Sequence, residues 1–259
     1  MKAAVKLPLS VDPANLQADL DRIDPAEWLT HFNTDYFEGD WTGVALRAAP
    51  GNAQTLHVDP AAQKFVDTSA MLLCPHIAAA LGMFQCPLKS VRLLKLTAGS
   101  SIREHRDDDL GWEAGEVRLH VPIITNPEVE FFLNGQRIAM KEGECWYLDL
   151  SLPHRVENRS KADRIHLVID CLLNDWLRAT IDGGQEMVAT PGAESDFERF
   201  RQIVLRDPSL QAELMQAPDL TEFTSLAIRL GEQHRARFTA GDVDAAMQAA
   251  RRAWIERWI

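Results

Sequence analysis

Between Val117 and Leu173 the chain breaks into short apolar-rich runs: VRLHVPII, VEFFLNG, QRIAM, ECWYLDL, HRVEN and RIHLVIDCLL. Runs of this length, rich in β-branched and aromatic residues, are strand signals, and turn residues stand between them. Asn134-Gly135 is the strongest of these turns, because both residue types accept the left-handed backbone of a two-residue hairpin; Lys141-Glu142-Gly143 marks another. Strands so short and so closely spaced must fold back on one another, which predicts a double-sheet jelly roll or a barrel.

The flanks read differently. Residues 13–32, PANLQADLDRIDPAEWLTHF, carry apolar residues at helical spacing and predict two short helices. Trp41–Arg47 and Leu88–Leu96 have strand composition, and the segment around His76–Met83 suits a helix. Gly, Pro and small residues in DGGQEMVATPGAESD separate this region from a tail with 3.6-residue periodicity, where Asp207-Pro208 and Thr239 mark helix starts. The expected fold is mainly β: a double-stranded β-helix core, jelly-roll and cupin-like, with N-terminal helices and a C-terminal helical appendage. The expected boundaries are residues 1–181 for the core with its helices, 182–194 for a linker and 195–259 for a small helical domain.

Charge and composition exclude some functions. With 27 Lys and Arg against 38 Asp and Glu, a net charge of −11, the chain lacks the basic excess that phosphate binding requires, so neither nucleic acid nor an anionic membrane is an expected partner. No run approaches the roughly 18–20 apolar residues of a membrane span, and prolines interrupt MKAAVKLPLSVDP before a signal-peptide core forms; a cytoplasmic location is expected. Cys74, Cys86, Cys145 and Cys171 are widely spaced in apolar surroundings and read as buried reduced thiols.

The segment SIREHRDDDLGW places His105 two residues before Asp107. A mononuclear iron site of two histidines and one carboxylate needs three ligands on one face of an octahedron. Alternate strand residues point to one side, so His-x-Asp at a strand end supplies two of them, and His154 in SLPHRVENRS offers the third. A second triplet, His57-Val58-Asp59, runs into Pro60 outside the dense β region and has no strand-end geometry behind it. Asp108 and Asp109 read as solvated neighbours, while His31, His76 and His234 read as structural or surface residues. Arg164, in ADRIHLVID, is a cation within an apolar strand, so it pairs with Asp170 or a glutamate, or holds the distal carboxylate of a dicarboxylate ligand. Arg118 and His120 alternate in EVRLHVP; they line the site together, or are a surface arginine and a core histidine. Arg103, Asn126, Trp146 and Arg155 lie near the ligands in sequence and are candidates for the pocket wall.

The ordered set IREHRDD, EVRLHVPIITN and ECWYLDLSLPHRVENRSKADRIHLVID resembles the aspartyl/asparaginyl β-hydroxylase family of iron(II)- and 2-oxoglutarate-dependent dioxygenases, which includes bacterial proline cis-4-hydroxylases. The resemblance covers roughly residues 25–178. It implies iron on His105, Asp107 and His154, the distal 2-oxoglutarate carboxylate on Arg164, and Arg118 with His120 near the cosubstrate. Animal aspartyl hydroxylases of the family lack the carboxylate ligand, so Asp107 draws this chain toward the bacterial amino-acid hydroxylases. The implied reaction consumes 2-oxoglutarate and molecular oxygen, releases succinate and carbon dioxide, and hydroxylates an unactivated C–H bond of an amino acid or of an Asp, Asn or Pro residue in a peptide or protein. Two other readings are a catalytically silent cupin-like metal-binding or sensing module, and a cupin enzyme that uses another metal without 2-oxoglutarate. The tail is weakly similar to helical modules of peptide-precursor leaders, which suggests peptide recruitment; capping of the barrel or a homodimer surface is the plainer role.

Overall fold

Alternation along the strands organises the N-terminal unit. The computed structural model describes residues 2–58, 62–107, 110–187, 196–243 and 246–247. The chain divides into two units, Met1–Val188 and Ala189–Ile259. In chain order the first unit contains β1 (Ala4–Ser10), α1 (Pro13–Leu20), β2 (Leu29–Thr30), β3 (Phe37–Glu38), β4 (Trp41–Ala48), β5 (Val66–Asp67), α2 (Ser69–Leu72), α3 (Pro75–Leu81) and β6 (Leu88–Leu96). It continues through β7 (Ser101–His105), β8 (Glu116–Ile124), β9 (Val129–Leu133), β10 (Gln136–Ile138), β11 (Glu144–Leu148), β12 (His154–Asn158), β13 (Arg164–Leu172), α4 (Asp175–Asp182) and β14 (Gln185–Glu186).

One sheet runs β14-β1-β11-β8-β13-β6-β4-β2, with β5 paired to β4; the other runs β10-β9-β12-β7-β3. This is the expected jelly roll. Along β13, Ile165, Leu167, Ile169 and Cys171 join Val117, Leu119, Val121 and Ile123 of β8 in a core on one face of the large sheet. Leu16, Ile77, Leu81, Leu177 and Ile181 of α1, α3 and α4 cover that face. Each such side chain taken out of water contributes roughly 1.5–3 kcal/mol. A second core lies between the sheets, where Leu94, Leu96, Trp146, Leu148 and Val168 meet Ile102, Phe131, Leu133 and Val156. Period two then fixes what else faces inward on β13: Arg164, His166 and Asp170 share the face of Val168. Polar residues on that face form the site described below.

The hairpin expected at Asn134-Gly135 joins β9 to β10; both residues have positive φ, 50° and 75°, as a two-residue turn between right-twisted strands demands. β1 is a departure from expectation, since MKAAVKLPLSVDP forms a strand paired with β11 through Ala4↔Leu148 and Val5↔Tyr147. Residues 13–32 also differ, giving α1, a 3-10 turn at Pro25–Glu27 and then β2 in place of a second helix. Asp24 accepts from the Ala26 amide and starts the turn, but pairing of Leu29 and Thr30 with Gly43 and Thr42 draws the chain into the sheet. β14 falls within the stretch expected as linker and pairs with β1.

The second unit contains α5 (Asp196–Arg206), α6 (Pro208–Leu214) and α7 (Leu220–Gln233). Asp207 caps α6 by accepting from the Ser209 and Leu210 amides, as the Asp-Pro pair predicts. Phe200, Leu210, Leu214, Ala227, Leu230 and Phe238 form its core. Gly231 allows α7 to approach Phe238, whose ring would stand 2.3 Å from a Cβ added there. Thr239 and Asp242 bond reciprocally, hydroxyl to amide and carboxylate to amide, consistent with a helix start; most of the tail beyond lies outside the described residues. Among the described residues no helix is long and apolar enough to cross a membrane.

Candidate metal centre

β7 and β12 are antiparallel neighbours, and their register places His105 opposite His154. The two rings lie 4.2 Å apart between centroids. Asp107 follows the end of β7, where its backbone amide donates to the Leu150 carbonyl at 2.9 Å and fixes the turn. One ligand atom from each of His105, Asp107 and His154 lies within 4.8 Å of the others. No other such group of His, Cys, Asp or Glu occurs among the described residues.

Hydrogen bonding settles the tautomers. His105 Nδ1 lies 2.8 Å from the Arg103 carbonyl and His154 Nδ1 lies 3.0 Å from the Leu152 carbonyl. A carbonyl only accepts, so both Nδ1 atoms carry hydrogen and both Nε2 atoms keep a lone pair. Burial pushes His154 down to about 4, aided by His105, which keeps its ring neutral. Burial is the largest single influence and raises the Asp107 carboxyl, but Arg118, His154, His105 and Arg92 together outweigh it and hold the group below the usual carboxylate range. Two bare imidazole nitrogens and an ionised carboxylate converge, and this donor set fits iron(II).

Arg118 is engaged by two carboxylates. Its guanidinium bridges Asp107 and Asp170: it bonds Asp107 Oδ2, and its Nε donates to Asp170 Oδ1 at 2.6 Å. Asp170 also accepts from Arg92 at 2.8 Å. Arg118 thus orients the Asp107 carboxylate, although it lines the cavity as expected. Asp170, one partner considered for Arg164, is taken by these other arginines.

Arg164 stands without a carboxylate among the described residues. It is 2% exposed, its Nε has no hydrogen-bond partner, and its terminal nitrogen donates to His166 Nδ1 at 2.8 Å. Burial pushes this guanidinium down to about 9, yet an arginine stays charged at working pH, so the site calls for an anion. His120, buried beside it, has an unpartnered Nε2, with its Nδ1 3.4 Å from His166 Nδ1. His166 Nδ1 accepts from Arg164, so the hydrogen of the neutral His120 ring sits on Nδ1 and Arg164 is the group that fits a ligand carboxylate.

These groups line one cavity of about 600 Å³ that also takes in His31, Phe32, Tyr36, Trp41, His57, Arg92 and Arg106. His31 is therefore not peripheral, as its sequence position suggested. His57 of the second triplet lines the same wall, while Asp59 lies outside the described residues, as do Asp108 and Asp109. Arg103, Asn126, Trp146 and Arg155 do not line the cavity. Arg103 pairs with Glu38, Asn126 donates to Ser160, Trp146 packs in the inter-sheet core, and Arg155 stacks on Phe132. His166 was missed by the sequence reading, although its place two residues beyond Arg164 on one strand was a sufficient signal.

Burial, then neighbouring Arg164, keeps His120 and His166 far below the usual histidine value; burial and Arg92 take His31 down to about 3. In the unfolded chain each titrates near 6.5. Below that pH the unfolded state binds more protons, so stability falls on acidification; above about pH 7 these residues add no slope. Each is expected to add up to about 1.4 kcal/mol per pH unit below pH 6. Urea unfolding at pH 7.5, 6.5 and 5.5 measures this, and a flat midpoint over that range contradicts it.

A sequence profile described as aspartyl/asparaginyl beta-hydroxylase matches residues 14–173. The L-proline cis-4-hydroxylase of Rhizobium meliloti (strain 1021) is 28% identical over 164 residues, which cover 61% of this chain and 57% of that protein. The chain thus spans little more than half the length of this curated relative. Among solved structures, an oxidoreductase of the 2OG-Fe(II) oxygenase family from Burkholderia pseudomallei has a TM-score of 0.46 at 15% identity, covering 66% of this chain and 85% of its own. A predicted oxalate decarboxylase from Thermotoga maritima has a TM-score of 0.34 at 18% identity, covering 58% and 98%.

Proposed function

Because the chain belongs to the aspartyl/asparaginyl β-hydroxylase family, we propose that it is an iron(II)- and 2-oxoglutarate-dependent dioxygenase that hydroxylates an amino acid, or an Asp, Asn or Pro residue of a peptide or protein. The observation that carries this reading is the convergence of His105, Asp107 and His154 beside an arginine with no carboxylate partner. Iron bound there supplies the chemistry by which oxygen and 2-oxoglutarate become succinate, carbon dioxide and a hydroxyl group on the substrate.

The protein's own part is positioning. His105 and His154 hold Nε2 lone pairs in place through backbone carbonyls, and Arg118 holds the Asp107 carboxylate toward them. Arg164 receives the distal carboxylate of 2-oxoglutarate through its planar fork, and His120 lines the same cavity. The inter-sheet core around the cavity excludes water from the reacting atoms.

A catalytically silent module has no need of a buried unpaired guanidinium, which disfavours that alternative. The name of the Rhizobium meliloti relative supports free L-proline as the first substrate to try. Four free buried cysteines and a net charge of −11 support a cytoplasmic enzyme with small-molecule or peptide partners. The test is a screen of proline, other amino acids and Asp- or Asn-containing peptides with iron and 2-oxoglutarate, read as succinate release and a gain of one oxygen by mass. If iron and 2-oxoglutarate both bind but no member of the screen is oxidised, the dioxygenase reading is in trouble.

A further inference from the structure

The wall that carries His31 is built by sheet register. Leu29 and Thr30 of β2 pair with Gly43 and Thr42, and the ladder continues as the His31 amide donates to the Trp41 carbonyl at 2.8 Å. His31 and Trp41 therefore stand opposite each other. Their rings stack at 3.5 Å between centroids and 10° between planes, and the Phe32 ring stacks on His31 at 4.5 Å. Both His31 and Trp41 are 7% exposed, and both line the cavity of the metal centre. Stacking and burial hold His31 and Trp41 in place, while Phe32 is 54% exposed at the cavity edge.

One polar atom interrupts this wall. The Asn33 amide donates to His31 Nδ1 at 3.4 Å, so in the neutral ring the hydrogen sits on Nε2. That N–H has no partner among the described residues. Burial and the nearby Arg92 keep the ring uncharged, so Nε2 remains a neutral donor at any working pH. His31 lines the same cavity as His105, Asp107 and Arg118.

Resting on the dioxygenase reading above, we propose that His31 is a substrate-positioning residue: its Nε2–H holds a carboxylate or carbonyl oxygen of the substrate while the substrate's apolar carbons lie against the Trp41–His31–Phe32 surface. The substrate class is thus a compact apolar amino acid, held by its acid group and presented by its ring or aliphatic chain to the oxidising centre. A substrate with no acceptor oxygen leaves this donor unmatched, which costs affinity in a dry site.

The test compares ligands with and without the acid group on the full chain loaded with iron and 2-oxoglutarate under argon, so that binding is read without turnover. L-Proline is paired with pyrrolidine, and L-leucine with isoamylamine, by calorimetry. Wild type is expected to bind at least one amino acid more tightly than its acid-free partner. His31→Phe keeps the stacking and removes the donor, so it should weaken that amino acid roughly 10-fold or more, as for a hydrogen bond to a charged acceptor. Binding of the acid-free partner should stay within about twofold, and His31→Gln, which restores an N–H, should recover most of the loss. Equal loss of both ligands in a folded His31→Phe protein marks a packing role and overturns the proposal. So does unchanged amino-acid binding by His31→Phe, or failure of wild type to bind either amino acid. Substrate-dependent succinate release tests the underlying reading separately: if it occurs while His31→Phe binds like wild type, only the role of His31 fails.

Discussion

His154→Ala is expected to reduce iron-dependent succinate formation to the background of the metal-free protein, and His105→Ala to do the same. Each ring supplies one of three donors held in register across β7 and β12, and no fourth His, Cys, Asp or Glu stands ready among the described residues. Loss of a group that merely orients a ligand lowers metal affinity about 10–100-fold, so loss of the ligand itself should exceed about 100-fold. Anaerobic iron titration reads this without any substrate. His76→Ala is the control, because His76 bonds Asp19 away from the cavity and should keep wild-type iron affinity. A folded His154→Ala protein that binds iron as wild type does refutes the ligand assignment.

The strand region was legible because its information is local. Six runs with turn residues between them gave β8 to β13, and Asn134-Gly135 gave the β9–β10 hairpin at the right residues. Period two gave Arg118 with His120, and would have given His166 with Arg164 had it been applied to β13 as it was to β8. What was not legible depends on pairing at a distance. β1 exists because β11 offers an edge to a segment with no turn signals of its own, and β2 exists because β4 recruits Leu29 and Thr30 out of a helical pattern. That second pairing is what brings His31 to the cavity, so a misread element hid a site residue. Sequence proximity failed in the opposite direction. Trp146 and Arg155 neighbour the ligands along the chain, yet strand alternation turns one into the core and the other onto Phe132. The destination of Arg118 was hidden as well, since its bond to Asp170 requires β8 and β13 to be neighbours, and the register does place Arg118 opposite Asp170.

Arg164→Met should separate the two things a buried arginine does. In the protein without cosubstrate, Arg164 is a charge at 2% exposure whose one hydrogen bond among the described residues is to a neutral histidine, and Asp170, the carboxylate on its own face of β13, belongs to Arg92 and Arg118. Such a charge is a net cost to the fold, and an apolar side chain of similar length removes it: replacing buried ionic groups by hydrophobes is often neutral or stabilising by about 1–4 kcal/mol. The cosubstrate-free variant is therefore expected to unfold at the same urea concentration as wild type or a higher one. Binding of 2-oxoglutarate should move the other way. Two charge-assisted hydrogen bonds of roughly 1.5–3 kcal/mol each are lost, which at about 1.4 kcal/mol per decade is a rise of roughly 100- to 10,000-fold in the 2-oxoglutarate KM. Arg164→Lys keeps a charge but not the planar fork, and should fall between the two. A group present for packing predicts the reverse pattern, lower stability with little change in KM. A 2-oxoglutarate KM within threefold of wild type in a well-folded Arg164→Met protein would remove the cosubstrate anchor, and with it the reason for a lone guanidinium in the inter-sheet interior.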